Sequence, residues 1–112
     1  DDVDERAEPR PLARPAISAP FRGRWAVSLS ECRAVPGLDR IVVGASEIKF
    51  GDANGIPLSV TQAGERAIVV KLRIMGQGGK SERIDRLTID PDGITLLYRR
   101  GDEPLTYRRC PK

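Results

Sequence analysis

From Phe21 to the end of the chain, apolar and polar side chains alternate with a period of two, and turn residues interrupt the alternation at short intervals. This pattern is typical of short, half-buried β-strands. The segment ERAIVVKLRIM shows it most clearly, with Ile68, Val70, Leu72 and Ile74 on one face. Helical periodicity does not extend over more than one turn. The sequence therefore predicts an all-β fold, with this segment as its longest strand.

About eight such strands can be traced, beginning with RWAVSLS, in which Trp25, Val27 and Leu29 alternate with smaller residues. Asn54-Gly55 is typical of a hairpin turn, because both residues tolerate a positive φ. Short connections place consecutive strands side by side, which predicts an antiparallel meander. Such a meander most easily removes its edges by closing into a barrel. We predict a closed or nearly closed barrel, and a two-sheet sandwich is compatible with the same pattern.

Residues 1–20 differ in composition from the rest of the chain. Four prolines punctuate EPRPLARPAISAP after an acidic start, and this spacing favours an extended spacer and prevents a helix. We predict a disordered tail over residues 1–20 and a single β-barrel domain over residues 21–112. A sharper hypothesis makes the tail an arm that enters a partner's cleft. The sequence opens on Asp1 and shows no signal peptide, which we interpret as a mature or trimmed chain.

The chain has two cysteines, Cys32 and Cys110, near opposite ends of the predicted barrel. A bridge between them would join the first strand to the last, and loop-closure entropy assigns it about 4–5 kcal/mol of stability. Two unrelated thiols are the alternative. We predict the disulfide, and with it an oxidising compartment, either periplasmic or secreted.

The absence of histidine removes several classes of chemistry. Ser-His-Asp and Cys-His catalysis and histidine-ligated zinc sites all require it. Gly79-Lys80-Ser81 lacks the rest of a phosphate-binding loop, and residues 52–55 form only a fragment of a calcium loop. No Asp or Glu is expected on the apolar face of a strand, where burial would raise its pKa. We therefore predict a protein that is not an enzyme, with no catalytic residues, no metal and no cofactor.

Arginines dominate the basic residues, at fifteen of nineteen, although the formal net charge is only +3. This charge is too small for a dominant nucleic-acid field, and exposed aromatics for base stacking are scarce, so we do not expect a nucleic-acid partner. Arg22, Arg24, Arg99 and Arg100 form a candidate partner-binding patch. It would fit an acidic protein groove or an anionic headgroup, and a solvated arginine-rich surface is the plainest alternative.

Trp25 is the only tryptophan, and it lies in the first predicted strand. A side chain of this size is expected to plug the barrel interior. An arginine of the closing strand, either Arg108 or Arg109, is expected to stack on its outer face, with the strand register deciding which.

Gly23-Arg24-Trp25 on the first strand, the eight-strand meander and a late arginine resemble the calycin-type barrels, which include lipocalins, avidins and bacterial metalloprotease inhibitors. The stretch PDGITLL with a following GD is similar to a hairpin of the inhibitors. This resemblance implies a barrel fold. For an inhibitor it also implies an N-terminal segment that inserts into the active-site cleft of a secreted protease, which would make residues 1–20 the inhibitory arm. The inhibitors have their cysteines close together, whereas Cys32 and Cys110 are far apart.

The function expected from these features is that of a non-enzymatic secreted or periplasmic protein that recognises another protein, with hydrolase inhibition as its specific form. A carrier that holds a small apolar ligand at the barrel mouth is the first alternative, and an envelope structural or adaptor module is the second. No apolar run approaches the roughly 20 residues of a transmembrane helix.

Overall fold

The computed structural model describes residues 15–33, 40–51, 53–76 and 78–111. Eight antiparallel strands pair in the order of the sequence, and the last pairs with the first, so that the sheet closes into a barrel. The predicted all-β meander is confirmed, and the closed ladder decides against a sandwich. The architecture is consistent with a calycin-like fold. The strands are β1 (Gly23–Ala26), β2 (Arg40–Val43), β3 (Ile48–Lys49), β4 (Ala53–Gly64), β5 (Ala67–Gly76), β6 (Gly79–Ile89), β7 (Thr95–Arg100) and β8 (Glu103–Arg109).

The first strand is shorter than the alternation of RWAVSLS predicts. It ends at Ala26, and Val27 and Leu29 are 44% and 61% exposed. The chain then forms a 3-10 helix, Leu29–Arg33, outside the barrel. The prediction was wrong here because this excursion brings Cys32 to Cys110, a long-range constraint that the local pattern does not contain.

The hairpin predicted at Asn54-Gly55 lies a few residues earlier. The N–H of Phe50 donates to the carbonyl of Ala53, while Asn54 and Gly55 are paired residues of β4. Gly55 is required by packing, since a Cβ there would lie 3.0 Å from Cε2 of Phe50. With these residues included, β4 has 12 residues and β5 has 10, so ERAIVVKLRIM is not the longest strand.

Large side chains fill the interior of the barrel. The fully buried set includes three aromatic residues, Trp25, Tyr98 and Tyr107. The Tyr98 ring meets the rings of Phe50 and Tyr107 edge to face. Aliphatic residues of β2, β5, β6 and β7 pack around them. Burial of each such side chain contributes about 1.5–3 kcal/mol, so the filled interior is the main source of stability. The largest fully buried side chains are Trp25, Tyr98, Tyr107, Ile17, Ile41, Ile48, Ile68, Leu72, Leu87, Leu96, Val43 and Val70.

The segment before β1 packs onto the barrel. Ile17 is fully buried and its N–H donates to the carbonyl of Ala45 at 2.9 Å. Phe21, in the 3-10 helix Ala19–Phe21, is also buried. The described part of the domain thus begins at Pro15, ahead of the predicted boundary at residue 21, because both side chains supply apolar surface to the core. The remainder of the predicted tail, residues 1–14, lies outside the described residues.

The two ends of the barrel carry different side chains. The tryptophan end is closed by Trp25 and residues 15–22. The arginine end lies opposite, where β3 turns into β4 and β7 turns into β8, and it contains Arg83, Asp85 and Arg100 on the inner face of the sheet.

Candidate functional site

An arginine of the closing strand covers the tryptophan end. The register pairs Trp25 with Arg109, and the Arg109 guanidinium lies 4.2 Å from the centroid of the Trp25 ring. Its Nη1 donates to the carbonyl of Arg22 at 2.9 Å and its Nη2 to the carbonyl of Pro20 at 2.7 Å. Of the two candidates, Arg109 therefore stacks on the ring, and Arg108 faces solvent.

Gly23 makes this stack sterically feasible. Its φ is +129°, and a Cβ at this position would lie 3.0 Å from Nη1 of Arg109. The Trp25 Nε1 donates to the carbonyl of Phe21 at 3.0 Å, so the polar edge of the buried ring is also satisfied. The Arg109 Nε also donates to the carbonyl of Gly93 at 3.4 Å, so all three guanidinium nitrogens donate to the backbone and close this end of the barrel.

The disulfide is present between Cys32 and Cys110, as predicted, with the two Cα atoms 5.5 Å apart. The two half-cystines form a small buried cluster with Ala26, which is separate from the barrel interior. The N–H of Cys110 donates to the carbonyl of Arg24, so the bridge and the backbone hold the same seam between β1 and β8.

A buried carboxylate lies at the arginine end, contrary to the expectation that no Asp or Glu faces the core. Asp85 of β6 is fully buried. It accepts hydrogen bonds from Arg83 Nε at 2.8 Å and Nη2 at 3.0 Å, from the Tyr98 hydroxyl at 2.5 Å and from the Gly101 N–H at 3.0 Å. Sequence reasoning missed it, although Asp85 lies in phase with the buried Leu87 and Ile89, and that phase was the available signal.

The Asp85 network is structural. Burial, followed by the adjacent Asp85 charge and hydrogen bond, raises the pKa of Tyr98 well above its ordinary value. Burial alone would lower the pKa of Arg83, but its ion pair and hydrogen bond with Asp85 raise it overall. Four donors occupy both carboxylate oxygens, and through Tyr98 and Gly101 they link Asp85 of β6 to β7 and to the residue that follows it.

Two guanidinium groups pack on one aromatic ring beside this network. The Cζ atoms of Arg83 and Arg100 lie 5.2 and 5.6 Å from the centroid of Phe50. Arg83 donates hydrogen bonds from Nε and Nη2 to the Asp85 carboxylate. The same two nitrogens of Arg100 are buried and have no hydrogen-bond partner among the described residues.

A second arginine pair lies on the outside of the barrel. Arg86 of β6 and Arg99 of β7 are directly opposite each other in the register, and both side chains are exposed. In the described part of the chain, neither makes an ion pair. Like charges in this position destabilise a sheet by roughly 0.2–1 kcal/mol. The fold therefore carries a small electrostatic cost at this point.

Apolar and polar side chains surround this pair to form what we call the outer groove, a shallow depression of about 440 Å³ on β6, β7 and β8. Leu97 is 42% exposed within it, and Ile84, at 58%, lies beside it on β6. The groove thus combines unpaired positive charge with exposed aliphatic surface. Its outward-facing residues are Arg86, Thr88, Leu97, Arg99, Pro104 and Thr106.

The four arginines of the predicted patch do not share one face. Arg22 donates from Nε to the carbonyl of Ile17 at the tryptophan end, and Arg24 donates from Nη2 to the carbonyl of Pro111. Arg99 faces outward into the groove, whereas Arg100 faces inward onto Phe50. Adjacent residues of a strand point to opposite faces, so Arg99 and Arg100 could not belong to one patch.

No family model, no curated protein and no solved structure matches this chain. In the described residues, no helix is long and apolar enough to cross a membrane. The same ranges contain no group of three Cys, Asp or Glu residues arranged to hold a metal ion. Asp92 caps the β6–β7 turn by accepting from the N–H groups of Ile94 and Thr95. Asp52, in the predicted fragment of a calcium loop, lies outside the described residues.

Proposed function

We propose that this chain is a non-enzymatic protein-recognition module that binds an acidic, partly apolar protein surface through its outer groove. The observation that carries the proposal is the opposed pair Arg86 and Arg99, which lacks a counter-charge within the described residues and borders exposed Leu97. Arginine is enriched among interaction hot spots, and the exposed Leu97 beside the pair supplies apolar surface that a partner would bury. A partner carboxylate would remove the repulsion between the two guanidinium groups and pair with both.

The filled interior favours protein recognition over ligand carriage. Trp25, Tyr98 and Tyr107 occupy the barrel and are at most 2% exposed. A barrel of eight strands is just wide enough either to be filled by side chains or to hold one small ligand. If the chain were a carrier, apolar ligands would shift the fluorescence of Trp25. We expect no shift across a panel of fatty acids and aromatic metabolites, and a saturable shift would favour the carrier instead.

The compartment and the inhibitor hypothesis belong to the same proposal. The Cys32–Cys110 bridge supports an oxidising, periplasmic or extracellular location. The resemblance to metalloprotease inhibitors supports a secreted hydrolase as the acidic partner. Because Ile17 is buried in the barrel, the inhibitory arm of this proposal is the part of the predicted tail ahead of Pro15. In this proposal the outer groove docks the partner, and the arm blocks the partner's active site.

The direct test compares capture by three immobilised proteins from the medium and envelope fractions of the source cells. These are the wild type, Arg86→Glu/Arg99→Glu, and the matched control Lys49→Glu/Lys80→Glu, which makes the same charge change at exposed residues of β3 and of the start of β6, away from the groove. We expect a partner that the wild type and the control bind and that the groove variant binds about tenfold or more weakly. Equal capture by all three proteins, or capture of no protein, would overturn the proposal.

The arm is tested on the captured partner with a chain that begins at Pro15. If residues 1–14 occlude an active site, the shortened chain should lose inhibition while it keeps binding through the outer groove. Unchanged inhibition would show that the arm hypothesis is wrong, and this result would leave the groove proposal standing.

A further inference from the structure

Arg83 and Arg100 present the same hydrogen-bonding edge to different surroundings. In a guanidinium group, Nε and Nη2 form an edge that matches the two oxygens of a carboxylate. Arg83 uses this edge on Asp85, with distances of 2.8 and 3.0 Å. Arg100 has the equivalent edge buried, and no described residue accepts a hydrogen bond from it.

From this contrast we propose that the arginine end of the barrel is a binding site for a small carboxylate anion, held by Nε and Nη2 of Arg100 beside the Phe50 ring. The local charge supports one monoanion. Arg83 and Arg100 are cationic and Asp85 is the buried anion of the cluster. Glu103 lies opposite Arg100 on β8, but it is exposed and makes no ion pair with Arg100 among the described residues, so one buried positive charge lacks a buried partner there.

Asp85 does not supply the missing acceptor, although the register places it directly opposite Arg100 on the neighbouring strand. Its oxygens are occupied by Arg83, the Tyr98 hydroxyl and the Gly101 N–H. Turning Asp85 towards Arg100 would break these bonds. Buried donors are nearly always satisfied in folded proteins, and no described residue satisfies the open edge of Arg100, so we infer that a bound carboxylate does.

Access to the edge requires only side-chain movement. Arg100 is half-buried, and the Arg83 side chain beside it on the Phe50 ring retains 26% of its exposure. Both are long side chains at the end of the barrel, so an outward swing of Arg100 exposes Nε and Nη2 without disturbing the aromatic core. The ligand is therefore small, because the interior beneath Phe50 and Tyr98 is filled.

The site is independent of the outer groove. Arg99 and Arg100 lie on opposite faces of β7, so a carboxylate on Arg100 makes no contact with the surface proposed to dock a protein. Either proposal can fail without the other.

The test is a titration of the full chain with sodium benzoate and sodium acetate, followed through the arginine Nε–H resonances in a ¹⁵N-labelled sample. Sodium chloride at equal ionic strength is the control for screening. We expect a saturable shift of the Arg100 Nε–H with either carboxylate and no such shift with chloride. The Arg83 Nε–H, already bonded to Asp85, should move little.

Two variants locate the effect. Arg100→Lys keeps the charge but lacks the paired N–H edge, and it should weaken carboxylate binding by about tenfold or more. Arg99→Lys makes the same change on the outer face and should leave binding intact. If Arg100→Lys does not fold, the Arg100 resonance of the wild type still decides. The proposal is overturned if the Arg100 Nε–H resonance does not shift with either carboxylate, as expected for an edge solvated by water alone. It is also overturned if the resonance shifts more in a parallel titration with sodium phosphate than with the carboxylates.

Discussion

Each end of this barrel packs arginine on an aromatic ring, but the two ends differ in what satisfies the guanidinium. At the tryptophan end, Arg109 stacks on Trp25 and donates to three backbone carbonyls. At the arginine end, Arg100 packs on Phe50 while two of its buried nitrogens find no acceptor in the described chain. An arginine packed on an aromatic ring therefore closes the fold at one end and, at the other, leaves two buried donors without an acceptor among the described residues. What separates the two roles is the supply of hydrogen-bond acceptors and not the stacking itself.

The largest effect is expected at the seam beside the tryptophan end. Replacing both Cys32 and Cys110 by Ala removes a bridge that spans 78 positions, and should lower the free energy of unfolding by about 4–5 kcal/mol. Urea unfolding of the variant and the oxidised wild type measures this difference. A loss below about 1 kcal/mol would mean that the β1–β8 ladder and Arg109 hold the seam without the bridge.

Asp85→Asn is the next largest change, and it acts at the arginine end. It leaves the Arg83 guanidinium without its counter-charge, and breaking a buried pair costs about 3 kcal/mol. Asp102→Asn, at an exposed position in the β7–β8 turn, is the matched control and should be close to neutral. If both variants unfold at the same urea concentration, the Asp85 network does not stabilise this end.

Tyr98 makes stability depend on alkaline pH. Its pKa is raised in the folded protein above the ordinary value of 10.0, because burial and Asp85 disfavour the phenolate. The unfolded chain therefore releases the Tyr98 proton first, so this contribution is complete below about pH 10 and is lost as the pH rises through the folded-state pKa. Unfolding free energies measured between pH 8 and 11 should fall more steeply for the wild type than for Tyr98→Phe. Parallel curves would show that Tyr98 does not titrate differently in the two states.

Much of the fold could be predicted from local patterns. Alternation along β5 and the turn residues between strands indicated the number and order of strands, and two distant cysteines indicated where the barrel closes. The end of β1 could not be read in this way, because Val27 and Leu29 continue the alternation while the chain leaves the sheet to place Cys32. The β3–β4 turn was misplaced because Asn54-Gly55 satisfies turn chemistry as well as the close packing of Gly55 under Phe50.

The candidate site was less accessible to sequence reasoning. Strand register determines which closing arginine covers Trp25, namely Arg109 and not Arg108. It also determines that Arg86 lies opposite Arg99. A slip of one residue would reverse both assignments, and no local pattern determines it. Asp85 was a different case, since its phase with Leu87 and Ile89 was visible and only its charge argued against burial.

The most direct test of the contrast between the two ends is the free energy of unfolding of Arg109→Met and Arg100→Met, measured side by side in urea without carboxylate buffers. Arg109→Met removes a stack and three charged hydrogen bonds to carbonyls, and should cost about 2 kcal/mol or more. Arg100→Met removes a stack but also two buried, unsatisfied donors, so it should change stability by less than about 0.5 kcal/mol or increase it. Equal losses for the two variants, or a greater loss for Arg100→Met, would contradict the account.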